Sequence, residues 1–386
     1  MTHIDSNLEE SNGEIISESQ EFDEEEDKNL QNELTDLEEP FNPSQIDIQA
    51  AQSTLDTLIK RLSHEEIDLQ PDFQREQNLW NPTFKSRLIE SLLIRFPLPA
   101  FYFDASNDDK WQVVDGLQRL YTIKSFVVDK KMKLNKLEFL KQFNNKTFDD
   151  LPRNMQRRIY EAQVTMYLIK PGTPSNVKFS LFNRINTGGL RLKPQEIRHA
   201  ISQGVNNGQA SKFLKEITET DVFQKVGRVS GKRMLDKELV LRFMALKLTT
   251  YNDYKAPMIS FLNNAMEQLG KAEPEELNSL RTDMLKALDL SYDIFGDDAF
   301  RKSLVEDNKS KVLNRALFEA VTVLFSEFSE NDSLFLLKNK TDFVESFKQL
   351  FDDGDFYSSI TVSTTDSANV VYRFTQISTV INRYIA

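Results

Sequence analysis

The apolar residues of this chain follow two different periods, and the change between them near residue 205 limits the folds open to it. Before that point, short alternating stretches read as strands: "EIDLQPDF" (66–73), "PLPAFYF" (97–103), "KWQVVDG" (110–116) and "AQVTMYLIKP" (162–171). Helix patterns are interleaved with them. "STLDTLIKRL" (53–62) has Leu55, Leu58, Ile59 and Leu62 at helical spacing, with Ser53 expected as its N-cap. "NPTFKSRLIESLLIRF" (81–96) offers Asn81 as cap and Pro82 in the first turn, and turns Leu88, Ile89, Leu92 and Leu93 to a core. "LQRLYTIKSFVV" (117–128) aligns Leu120, Ile123 and Val127, "TPSNVKFSLFNRINTGG" (173–189) ends on a double glycine, and "KPQEIRHAIS" (193–202) is a further helix. Beyond 205 the strand signal stops. Segments 236–248, 258–270, 275–295, 311–329 and 375–385 all read as amphipathic helices. No internal repeat is present. The expected fold is α+β: a leader over residues 1–44, an α+β domain with a small sheet over 45–205, and a helical domain over 206–386.

The formal net charge of −12 belongs to the leader. Residues 1–40 hold 15 Asp and Glu against one Lys, leaving 45 acids and 47 bases in the rest, which is therefore close to neutral. The leader reads either as a solvated, unstructured stretch or as a nucleic-acid mimic that shields a basic groove. The absence of cysteine excludes disulfides, thiolate zinc sites and a cysteine nucleophile. No apolar run is long enough for a membrane span, and the acidic start lacks a secretory signal pattern, so a cytoplasmic protein without membrane partners is expected.

Four stretches can carry chemistry. In "VVDGLQRL" (113–120) a strand ends in Asp115, and a helix opens after Gly116. A bare glycine, the positive end of a helix and the guanidinium of Arg119 suit a phosphate. Asp115 can hold a metal ion, a ribose hydroxyl or a water, and Gln118 can position a water or read a base. The plainer alternative is a turn in which Arg119 pairs with a nearby acid. "PDFQRE" (71–76) places Gln74 and Arg75 beside a sheet edge, followed by Trp80 as an anchor for the next helix. "FNRINTGGLRLKPQEIRHA" (182–200) joins Arg184, Asn186, Gly188, Gly189 and Arg198 in one helix–loop–helix, which is either an anion-binding concavity or a helix cap with a solvated basic face. "KVGRVSGKRMLDKELVLRF" (225–243) has Arg228, Lys232 and Arg233 in a glycine-spaced basic loop, either plain surface or an extension of a nucleic-acid path. No P-loop motif occurs. The three histidines, His3, His64 and His199, are too scattered for a histidine–metal nuclease.

Taken together, "DFQRE…W", "LIESLLIRFPLPAFYF", "VVDGLQRLYTI", "LFNRINTGGLRLKPQEIRHA" and "GKRMLDKELVLRF" resemble the N-terminal domain of the GmrSD-type restriction endonucleases, over roughly residues 50–245. The resemblance implies a ParB/sulfiredoxin-like fold and places Asp115, Gly116, Gln118 and Arg119 in an Asp-Gly-Gln-Gln-Arg signature, with Leu117 standing where the first glutamine is expected. It implies NTP binding and hydrolysis, with magnesium, controlling DNA cleavage in defence against phage. Asp115, Gln118 and Arg119 would then be catalytic, and Gln74, Arg75, Gly116, Arg119, Arg184, Asn186, Gly188 and Gly189 would hold the nucleotide. Arg198, Arg228, Lys232 and Arg233 would touch DNA, and Asp115 would carry the metal. The histidine-containing nuclease domain of many members is missing from the pattern, so a partner nuclease is expected, and a homodimer is compatible with the amphipathic helices. Two other readings stay open: a DNA-binding or nicking module without nucleotide turnover, and a scaffold that docks a nuclease.

Overall fold

The computed structural model describes residues 47–69, 80–185, 193–203, 205–229, 231–305 and 312–385. The chain divides into two compact units, one spanning residues 41–211 and the other residues 212–386.

The first unit is built on a five-stranded mixed sheet. Its strands are β1 (Ile48–Thr54), β2 (Ile67–Asp68), β3 (Phe101–Asp104), β4 (Trp111–Asp115) and β5 (Gln163–Ile169). Their spatial order is β1–β5–β3–β4–β2, with β1/β5 and β3/β4 antiparallel and β5/β3 and β4/β2 parallel. One face is covered by α1 (Leu55–Ser63), α2 (Pro82–Leu93), α3 (Leu117–Ile123) with its π-helical continuation Lys124–Val128, and α4 (Arg153–Tyr160). Leu55, Leu58, Ile89, Leu92, Leu120 and Ile123 bury there against Phe101, Phe103 and Met166 of the strands. The helical stripes expected for α1, α2 and α3 are the buried ones, and Asn81 caps α2 by accepting from the N–H of Phe84 at 3.0 Å. Alternation turns Asp104 away from Phe103. There Lys178 of α5 (Ser175–Ile185) meets it at 2.7 Å, tying α5 to the second face with Phe179 and Phe182 buried. The helix α6 (Pro194–Ser202) packs on α5.

Ser53 does not cap α1. It is the penultimate residue of β1, opposite Val164, and Thr54 stands at the cap position without a side-chain bond. The helix leaves the strand directly, and the first helical N–H, that of Leu55, is satisfied by the carbonyl of Ala162 at 2.8 Å.

The second unit is helical. Its elements are α7 (Gln209–Thr218), α8 (Asp221–Gly227), α9 (Leu235–Leu248), α10 (Met258–Lys271), α11 (Pro274–Phe295), α12 (Arg315–Ser326), α13 (Glu330–Lys338), α14 (Lys340–Gln349), α15 (Gly354–Ser359) and α16 (Ser367–Ile381). Every residue of α12 from Ala316 to Ser326 is buried, so this helix is enclosed on all sides, by α9, α11 and α16 among others. Glu319 sits in its middle, 1% exposed, and accepts from Arg242 of α9 at 2.6 Å and from Arg373 of α16 at 2.7 Å. Among the described residues no helix is long and apolar enough to cross a membrane.

Candidate functional site

The β4–α3 turn is shaped by three local devices. The first is a bulge. Phe103 pairs with Val113 but Tyr102 pairs with Asp115, so one step on β3 answers two on β4 and Val114 is the extra residue. Asp115 is thereby set across from Tyr102. Tyr102 in turn stacks on Tyr167 of β5, with ring centres 4.8 Å apart and planes 16° apart. A row of three half-buried groups, Asp115, Tyr102 and Tyr167, crosses the sheet. Burial, Tyr167 and the nearby Asp115 carboxylate all push the Tyr102 phenol above its ordinary value.

The second device is Gly116, at φ 103° and ψ 9°. A Cβ here would lie 2.5 Å from the Phe101 ring and 3.2 Å from Nη2 of Arg119. Both the left-handed backbone and the close approach require glycine.

The third is Arg119, which is 8% exposed. Its Nη1 donates to the carbonyl of Pro99, and its Nη2 donates to the carbonyl of Ala100 at 3.0 Å and to Oδ2 of Asp115 at 2.8 Å. The guanidinium lies over Phe101, 4.5 Å from the ring centre. Burial lowers its affinity for the proton and Asp115 opposes that shift. The guanidinium therefore faces inward and holds the turn to the start of β3. This corrects the expectation that it meets an incoming phosphate directly: the backbone carbonyls and the carboxylate already take up its fork.

What the turn leaves open is different. The Asp115 side chain is 35% exposed, and among the described residues its Oδ1 has no hydrogen-bond donor. Gln118 accepts the N–H of Trp80 at 3.2 Å on Oε1, which fixes the amide orientation, because a backbone donor needs the oxygen. Its Nε2 then has no hydrogen-bond partner among the described residues. The N–H groups of Leu117 and Gln118 open the helix with no side-chain cap. A carboxylate oxygen, an amide donor and backbone donors thus belong to one turn, which Arg119 ties to the start of β3.

The other expected residues are placed as follows. Gln74, Arg75, Asn186, Gly188 and Gly189 lie outside the described residues. Arg184 is exposed on the last turn of α5. Arg198 is buried, at 3% exposure; its Nη1 donates to Gln195 at 3.2 Å and its guanidinium lies over the Phe179 ring at 5.6 Å. It is a packing residue between α5 and α6, which corrects its reading as a nucleic-acid contact. In the helical unit Arg228 adopts a left-handed conformation at the end of α8, pairs with Asp297 and donates from Nε to the carbonyl of Lys225 at 3.2 Å. Arg233 also has positive φ, 58°, and is half-buried, while Lys232 lies in the short helical turn beside it. Asp115 pairs through Oδ2 with the Arg119 guanidinium, and among the described residues no three His, Cys, Asp or Glu come together as a metal site.

Reading the sequence missed Tyr102, Tyr167 and the tie from Trp80. The signal available for the tyrosines was their place at outward positions of two alternating strands; that those strands are neighbours was not legible.

Residues 55–202 match the family model of the GmrSD restriction endonuclease, N-terminal domain. This is the family that the five motifs resemble, and the β4–α3 turn lies inside the matched residues. No curated protein and no solved structure matches the chain.

Proposed function

We propose that the α+β unit is the nucleotide-responsive control module of a restriction or phage-defence system, with a ParB-like fold, and that it receives NTP phosphates at the β4–α3 turn. The match over residues 55–202 supports the restriction setting. The observation that carries the site is the division of labour in the turn. Arg119 and Gly116 set its shape, while among the described residues Oδ1 of Asp115 and Nε2 of Gln118 have no partner and α3 opens without a side-chain cap. Asp115 would hold the water or the magnesium ion that accompanies the nucleotide, Gln118 would orient the attacking water, and the backbone donors would meet phosphate oxygens. Arg119 is a positioning residue in this scheme. DNA cleavage by a partner nuclease completes this reading.

The test is calorimetric titration of the full chain with ATP and GTP in the presence of magnesium. Asp115→Asn is expected to weaken nucleotide binding at least about tenfold, measured on protein whose folded fraction is checked by urea titration, because it removes the counter-charge of the largely buried Arg119. Nucleotide affinity that is the same in Asp115→Asn and the unaltered chain would sink the proposal.

A further inference from the structure

The loop between the π-helical turn and α4 is held with unusual thoroughness. Its neck is closed by the N–H of Leu134 on the carbonyl of Lys146, at 3.0 Å, and by the N–H of Asn145 on the carbonyl of Leu134, at 2.7 Å. Its interior is pinned by the N–H of Leu137 on Oδ1 of Asn144 and by the N–H of Asn135 on Oγ of Ser86 in α2. At the tip, the Glu90 carboxylate of α2, itself 3% exposed, accepts the N–H groups of Glu138, Phe139 and Leu140 at 2.7–2.9 Å. A buried carboxylate is expensive to maintain, and this one is devoted to fixing three consecutive backbone groups.

The fixed tip presents Phe139, at 66% the most exposed phenylalanine among the described residues, equalled only by Leu334 among the large apolar side chains. Exposed lysines surround it in the same loop: Lys133, Lys136, Lys141 and Lys146. The acids of the region are accounted for. Glu138 pairs with Arg87 and Asp149 with Lys130, while Asp150 bonds Thr147 and feels Lys146 and Lys133. Lys136 and Lys141 have no ion-pair partner among the described residues. A rigid, solvent-facing ring flanked by unpaired ammonium groups has the two parts of a single-strand platform: a surface on which any base can stack, and cations for the phosphates on either side. A membrane-binding patch would need several apolar groups together, whereas here one ring stands among lysines.

We propose that the 133–146 loop is a binding site for single-stranded nucleic acid, with Phe139 stacking on a base and Lys136 and Lys141 holding the backbone. This site uses none of the residues of the β4–α3 turn, so it stands or falls separately from the nucleotide reading.

Fluorescence anisotropy of labelled dT20 with the full chain tests it. Phe139→Ala is expected to weaken binding about tenfold and to leave NTP titrations unchanged. Phe139→Trp is expected to keep the affinity and to show quenched tryptophan emission on binding. Replacing Lys136 and Lys141 together with alanine is expected to reduce the slope of log affinity against log salt by about 1.4. Equal dT20 affinity in Phe139→Ala and the unaltered chain would overturn the proposal. So would binding to anionic phosphatidylserine vesicles with none to dT20, which would assign the loop to a membrane surface.

Discussion

Two buried arginines, one in each unit, solve the same problem in opposite ways. Arg373 in the helical unit is fully buried; it is neutralised by Glu319, itself 1% exposed, and its Nη1 donates to the carbonyl of Thr364 at 2.7 Å. Glu319 is shared with Arg242, whose Nε also reaches Glu238 at 3.0 Å. Every charge of that network points into the packing of α9, α12 and α16. Arg119 in the α+β unit is nearly as buried, but its counter-charge, Asp115, is 35% exposed, with one oxygen uncommitted among the described residues. The closed network turns its charges to architecture, with the buried Nε of Arg373 lacking a hydrogen bond among the described residues. The open pair spends the guanidinium on architecture and leaves one carboxylate oxygen uncommitted among the described residues.

The contrast predicts a ranked set of outcomes. Glu319→Ala leaves two guanidiniums without their shared partner in a dry interior and is expected to cost about 3–5 kcal/mol, read from the urea midpoint. A loss below about 1 kcal/mol would show that water reaches this network. Arg119→Met removes three charge-assisted hydrogen bonds but keeps contact with Phe101. The expected loss is about 3 kcal/mol, with nucleotide binding falling in step with the folded fraction, as a positioning role requires. A smaller effect separates the other carboxylate held by backbone, Glu90. Burial raises its proton affinity, but the three N–H groups of the 138–140 tip outweigh it and hold the group below its ordinary value of 4.5. A depressed acid contributes stability above the unfolded value and loses it as pH falls through the folded one. The difference in urea midpoint between the unaltered chain and Glu90→Gln is therefore expected to be full near neutrality, to shrink once the pH falls below about 4.5, and to vanish below the lowered folded value. A difference independent of pH would mean that packing, not charge, is at stake.

Much of this architecture was legible because its helices carry one apolar stripe each. Leu88, Ile89, Leu92 and Leu93 repeat at helical spacing, and all four are buried in α2. The missed elements lack such a stripe. β1 is a sheet edge whose residues Gln49, Ala50 and Gln52 are exposed, so "IQAAQST" shows no clean alternation. In α4, "RNMQRRIY" contributes only Ile159 to the buried set. At the site, the acid, the glycine and the arginine were evident as a cluster, but the direction of Arg119 was not. That direction depends on the carbonyls of Pro99 and Ala100, which lie nearly twenty residues earlier and meet the turn only because β3 and β4 are paired. Arg198 shows the same limit: a cation in a sequence reads as surface until a ring such as Phe179 is found beneath it.

Under the proposed function, the pairing of Asp115 with Arg119 also filters the charge of what can bind at the turn. A bare divalent cation would have to share a carboxylate that already offsets a buried guanidinium, which leaves the turn with surplus positive charge. Under the proposed nucleotide reading, a magnesium–triphosphate complex carries its own anionic charge and so avoids that surplus of positive charge. The order of binding that this reading implies is metal with nucleotide, not metal ahead of it.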